Sequence, residues 1–214
     1  MPVRTKLAVL SLSAVLGLFL GTSGLALAHD HQAQEKKPEV NEMGMTPEQM
    51  ETMVKNTTPG EAHKQLAKLA GDWTLTSRMF MVPGQPPVES PGTMHAETIL
   101  GGRYVQSTWT GSMMGQPFEG RGTDAWDNVG KRYVTSWVDS MGTGILYSTG
   151  TCENGFKVCT TTGDMFDPVT GQKITMKSVI TWIDDNHFKN EMYTNDPASG
   201  QEVKMMELDV VRKK

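Results

Sequence analysis

A mainly β fold, in which about ten antiparallel strands run up and down and close into a barrel, is predicted for this chain of 214 residues. Three observations predict it. Segments of alternating apolar and polar residues recur at short, even intervals from Trp73 to Arg212. The connections between them are short and rich in Gly, Asp and Asn, which permits antiparallel neighbours and excludes parallel crossovers. Ahead of the first strand, Leu66-Ala67-Lys68-Leu69-Ala70 reads as a helix end that passes through Gly71-Asp72-Trp73 into extended chain. A short helical segment is therefore expected to lie on the sheet.

Residues 1–28 carry Arg4 and Lys6, an apolar run from Leu7 to Leu20, and then Ala26-Leu27-Ala28. This reads as a cleavable signal peptide, because the run falls short of the roughly 20 apolar residues of a membrane span and ends in small residues. The mature chain is expected in the periplasm or outside the cell, without stable membrane insertion. Residues 29–57 are expected to form a flexible linker with a short helix. Up to Val40 this stretch holds almost nothing apolar, too little to offset the entropy of ordering. Thr46-Pro47-Glu48-Gln49 then supplies a cap, a proline and a glutamine to open a helix running to Lys55. Thr58-Pro59-Gly60-Glu61 repeats the device for a second helix, on which Ala62, Leu66, Leu69 and Ala70 share one face.

The barrel domain is expected over residues 58–214, with strands near Trp73–Val82, Met94–Leu100, Arg103–Gly111, Phe118–Asp127, Arg132–Asp139, Ile145–Cys152, Phe156–Thr162, Ile174–Trp182, His187–Thr194 and Val203–Arg212. Alternation is clearest where Ile174, Met176, Ser178, Ile180 and Trp182 interleave with Lys173, Thr175, Lys177, Val179 and Thr181. One face is inside and the other wet. So many strands would leave exposed edges unless the sheet closed. A two-sheet sandwich is the alternative, but it needs longer crossings than these loops offer.

Loss of the signal would leave 18 Lys and Arg against 24 Asp and Glu. That acidic balance argues against nucleic acid and anionic membranes as partners and favours solubility. Cys152 and Cys159 are the only cysteines, and an oxidising compartment invites a disulfide between them. A two-residue turn at Asn154-Gly155 would leave them diagonal and too far apart. A four-residue loop, Asn154 to Lys157, would set them opposite each other.

The chain resembles the family called domain of unknown function 1579, whose exported members look like calycin or lipocalin-type barrels. The resemblance spans His63 to Arg212. It is carried by His63-Lys64-Gln65-Leu66, Gly71-Asp72-Trp73, Pro91-Gly92-Thr93, Leu100-Gly101-Gly102-Arg103-Tyr104, Gly120-Arg121-Gly122-Thr123-Asp124-Ala125-Trp126-Asp127 and Trp137-Val138-Asp139-Ser140-Met141. The family's Gly-Tyr-Asp is Ala125-Trp126-Asp127 here, so the aromatic is kept and the glycine is not. The resemblance implies a fold and a compartment but no reaction and no cofactor. Likeness to lipocalins implies a small apolar ligand inside the barrel.

Candidate binding residues follow from strand parity. Trp109, Trp126, Trp137 and Trp182, with Met79, Met81, Met176, Met192 and Met205, would build either a filled core or an adaptable apolar pocket. Arg103 shares parity with Val105 and Trp109, and Asp139 with Tyr133 and Trp137. Both charges would point inward, where Arg103 would need a carboxylate such as Asp139, Asp127 or Glu97. Asp127 and Asp139 also precede turn sequences and could cap them, or serve a hydrolase or isomerase as acid and base. No Ser-His-Asp or Cys-His arrangement emerges, since His95 and His187 fall at strand ends. Cleavage after Ala28 would expose His29-Asp30-His31, whose amine, backbone amides and His31 imidazole form a nitrogen set suited to copper or nickel.

Overall fold

The computed structural model describes residues 39–81, 84–196 and 199–214. The signal-like segment and the candidate metal residues His29 and His31 lie outside the described residues. Ten strands form one closed antiparallel barrel: β1 (Gly71–Met79), β2 (Val88–Ile99), β3 (Tyr104–Met113), β4 (Gln116–Asp127), β5 (Arg132–Asp139), β6 (Leu146–Glu153), β7 (Val158–Phe166), β8 (Lys173–Asp184), β9 (His187–Asn195) and β10 (Glu202–Arg212). Each strand pairs with its neighbours in sequence, and β10 returns to β1 from Trp73 opposite Arg212 to Met79 opposite Met206. That closure removes the sandwich alternative.

Strand β2 starts at Val88, well before the predicted Met94. Pro91 and Gly92 are accommodated because, from Val88 to Pro91, β2 pairs with β1 alone. A proline lacking its N–H is tolerated on such a locally free edge. In β10 a bulge between Lys204 and Met206 resets the alternation. Met206, opposite Met192 and Met79, therefore takes the inward place expected of Met205. Met81 is exposed and lies past the end of β1.

Two helices precede the barrel, α1 (Pro47–Thr57) and α2 (Glu61–Leu66), the latter continuing as a 3-10 turn over Ala67–Leu69. The capping box of α1 is present: Gln49 N–H donates to Thr46 Oγ1 at 3.2 Å, and Thr46 N–H to Gln49 Oε1 at 2.9 Å. For α2 the expected Thr58 cap is replaced. Gly60 holds the cap position and its N–H donates to His63 Nδ1 at 3.0 Å, while the Thr58 hydroxyl donates back to the Val54 carbonyl at 2.6 Å.

The α2 segment plugs one end of the barrel. Leu66 and Leu69 are buried against Trp73, which is 0% exposed and donates its indole N–H to the Leu69 carbonyl at 2.9 Å. Arg212, opposite Trp73, lies over the indole and donates to the carbonyls of Ala70 at 2.8 Å and Lys68 at 2.7 Å. Gly71 makes this joint possible: its φ is +132°, and a side chain there would meet the Arg212 guanidinium.

Candidate functional site: the barrel interior

Inside the barrel, the two ends differ. At the plugged end Trp73, Trp182 and Phe188 pack with ring centroids 5.0–6.0 Å apart, and Trp126 stands edge-on to Phe156 at 5.3 Å. The space enclosed there, among Leu66, Leu69, Tyr133, Phe156, Ile180 and Trp182, is about 10 Å³, room for one water at most. A shallow groove of about 240 Å³ runs outside it between the plug and the β8–β9 turn, lined by Gln65, Lys68, Phe156, Trp182 and Asp185 among others.

The opposite end, which we call the mouth, carries no helix among the described residues. Trp109 and Trp137 meet edge to face at 6.0 Å, with Phe118 stacked on Trp137 at 6.4 Å. Leu75, Met79, Met176, Met192 and Met206 continue the same inner wall. All of these side chains face inward, yet all keep partial solvent exposure. Both indole N–H groups are fixed, Trp109 donating to Ser107 Oγ at 2.9 Å and Trp137 to Asp139 Oδ2 at 2.7 Å. Gly120 on β4 leaves the room the Trp137 ring occupies, since a methyl group there would run into the indole, and one at Gly122, opposite Trp137, would crowd the Ser107 hydroxyl.

Between plug and mouth lies a polar band. Asp124, Thr135 and Ser148 are register partners across β4, β5 and β6, so they form one row on the inner wall. Thr161 and Ser178, paired across β7 and β8, lie alongside. The Ser178 hydroxyl donates to Asn190 Oδ1 at 2.6 Å. The Asp124 carboxylate accepts a short hydrogen bond from the Tyr133 hydroxyl, and Tyr133 is 1% exposed. Burial is the larger influence on this carboxyl and pushes its pKa up to about 6, with the Tyr133 bond pulling the other way. Burial, with the Asp124 charge beside it, raises Tyr133 well above the usual phenol range, so it remains a donor.

The predicted site residues divide as follows. Trp109, Trp126, Trp137, Trp182 and Met176 all face the interior. Trp109, Trp137 and Met176 line the mouth half, while Trp126 and Trp182 belong to the plugged half. Arg103 does not enter the barrel. It sits in the β2–β3 turn, exposed, and donates to the carbonyls of Leu100 at 3.1 Å and Thr57 at 3.2 Å, so it ties the end of α1 to the rim. Strand parity did not apply because β3 begins one residue later, at Tyr104.

The two candidate acids are turn residues. Asp127 accepts from the N–H groups of Val129 and Gly130 at 3.0 and 2.9 Å, and Asp139 from Met141 N–H at 2.9 Å while it holds Trp137. They cap turns at opposite ends of β5, which is no acid–base pair. Cys152 and Cys159 are opposite each other and disulfide-bonded, because Glu153 pairs with Val158 and the loop is Asn154 to Lys157. Among the described residues no group of His, Cys, Asp and Glu could hold a metal ion. Asp124 is not singled out by the sequence, although it shares strand parity with Trp126 two residues on, and Tyr133, expected inside from its parity with Trp137, gains its role only as the partner of Asp124.

A closed ten-stranded antiparallel barrel, plugged at one end by a short helix and lined with aromatic and methionine side chains toward the other, is a calycin-like barrel fold. Residues 58–212 match the family described as "Protein of unknown function (DUF1579)", and the chain belongs to that family. No curated protein matches it. Among solved structures it is similar to Rv2717c from M. tuberculosis, at a TM-score of 0.55 and 14% identity over 73% of this chain and 100% of that one. It also matches the S-type phycobiliprotein lyase CPES from Guillardia theta, with TM-score 0.48 and 10% identity over 76% of this chain and 97% of that one. These likenesses concern the fold.

Proposed function

We propose that this protein is an exported carrier that binds a small, largely apolar molecule through the open mouth of its barrel. One observation carries the reading: Leu75, Trp109, Trp137, Met176, Met192 and Met206 point into a closed barrel and still keep accessible surface. Apolar wall left accessible inside a concave site is the usual make-up of a small-molecule pocket. Unbranched methionines let such a wall adapt to its guest, and the tethered indoles give it rigid faces. Export rests on the pattern of residues 1–28.

Titration of the purified chain with N-phenylnaphthylamine, a neutral apolar fluorophore, tests the pocket by energy transfer from the tryptophans. Saturable binding that weakens about tenfold in Trp137→Ala is expected. Dye that does not bind, or binds equally to that variant, would remove the mouth as the site. Fractionation of the native host, with sequencing of the mature terminus, tests export; a cytoplasmic chain starting at Met1 would refute it.

A further inference from the structure

The polar band has a feature that core packing does not account for. Ser148 and Thr161 are only 5% and 4% exposed, yet among the described residues neither hydroxyl has a hydrogen-bond partner. Nor are they sealed, because no side-chain nitrogen or oxygen without a partner is fully enclosed among the described residues. Thr135 is likewise unpaired, and Tyr133 is the single partner of Asp124, which leaves the second carboxyl oxygen open. Gly163, opposite Ser148, and Gly150, opposite Thr161, add no side chain that could cover these groups. Groups that the protein leaves unpaired yet accessible inside the barrel are free to bond water or the polar end of a guest.

We infer that Asp124, Thr135, Ser148 and Thr161 form a subsite for the polar end of the guest, and that this end carries a hydrogen-bond donor, an amine or a hydroxyl, and not a carboxylate. The inference rests on the mouth-binding reading and specifies its ligand. A molecule entering past Trp109 and Trp137 would reach this row with its leading end while its apolar body lies against the methionines. Asp124 offers an acceptor and the hydroxyls can donate or accept, so an ammonium or alcohol satisfies the row. A carboxylate would be set against Asp124 in a water-poor site and be rejected. The groups facing Asp124 are Val105 on β3, Tyr133 and Thr135 on β5 and, one strand further, Ser148. Tyr133 is the one titratable group among them. With its pKa near 6, Asp124 is charged above neutrality and protonated in mild acid.

Dodecylamine, dodecanol and dodecanoate share a tail and differ in head, so titrating each into the purified chain by calorimetry isolates the subsite. Near pH 8 the amine and alcohol should bind at least about tenfold more tightly than the carboxylate, and that gap should close in Asp124→Asn and, for the native chain, near pH 4.5. Ser148→Ala, which leaves the charge in place, should weaken dodecanol several-fold. Equal affinity for all three heads, or a gap that Asp124→Asn leaves intact, would overturn the subsite while the mouth-binding reading stood. Failure of all three to bind would overturn both.

Discussion

Replacing Asp124 by Asn should stabilise the protein, and should do so only above mild acid. Folding carries this carboxyl from an ordinary 3.8 to about 6, so the native state holds a proton that the unfolded state gives up. Where a group's folded pKa is raised, its contribution is fully present below the unfolded pKa and is lost as pH rises through the folded one. At roughly 1.4 kcal/mol per pK unit, the ionised carboxylate then costs up to about 3 kcal/mol. Asp124 retains some accessible surface, which reduces the figure to about 1–3 kcal/mol. Asparagine keeps an oxygen for the Tyr133 hydroxyl and carries no charge. Urea unfolding followed by tryptophan fluorescence should therefore show Asp124→Asn and the native chain alike near pH 4, with the variant ahead by about 1–3 kcal/mol near pH 8. A difference that does not change with pH, or a native chain that gains on the variant as pH rises, would refute the assignment of Asp124 as a desolvated carboxyl.

Arg212→Met removes the hydrogen bonds to Ala70 and Lys68 and the cation over Trp73. It should cost about 2–4 kcal/mol, with amide hydrogen exchange rising first in α2. Reduction of Cys152–Cys159, which closes a loop of sequence separation 7, should cost about 2–3 kcal/mol in a denaturation midpoint measured with and without reductant. Gly120→Ala drives a methyl group into the Trp137 ring. It should cost about 1–3 kcal/mol and alter the near-ultraviolet circular dichroism, and Trp137→Leu in the same chain should recover much of the loss.

Much of the barrel could be read from alternation, because a strand with one wet face must show it. Closure could be argued only from the cost of free edges; the pairing of β1 with β10 joins the two ends of the domain and leaves no local mark. Turn chemistry was harder. Asn154-Gly155 fits two loop lengths, and the observed one also places Phe156 at φ +70°, which no residue preference announces for so bulky a side chain. Parity failed where strands begin or bulge: Arg103 lies one residue ahead of β3, and the β10 bulge exchanges Met205 for Met206. His63 shows what a motif hides. It is 8% exposed, accepts the Gly60 N–H and hydrogen-bonds the Trp126 backbone, and burial holds its pKa below the usual range. Its place in the sequence motif is explained by joining the plug to β4.

The two halves of the barrel treat polar groups oppositely, and that contrast is the strongest physical reason to look for a guest. At the plug, the exposed carbonyls of the helix end are met by Arg212 and the Trp73 indole, and the caps of α1 and α2 are closed by side chains. Along the inner wall above it, a carboxyl and three hydroxyls lack protein partners on at least one atom and stay accessible. A guest whose polar end replaces water along this row completes those hydrogen bonds while its apolar body covers the methionines, and its binding stabilises the folded state.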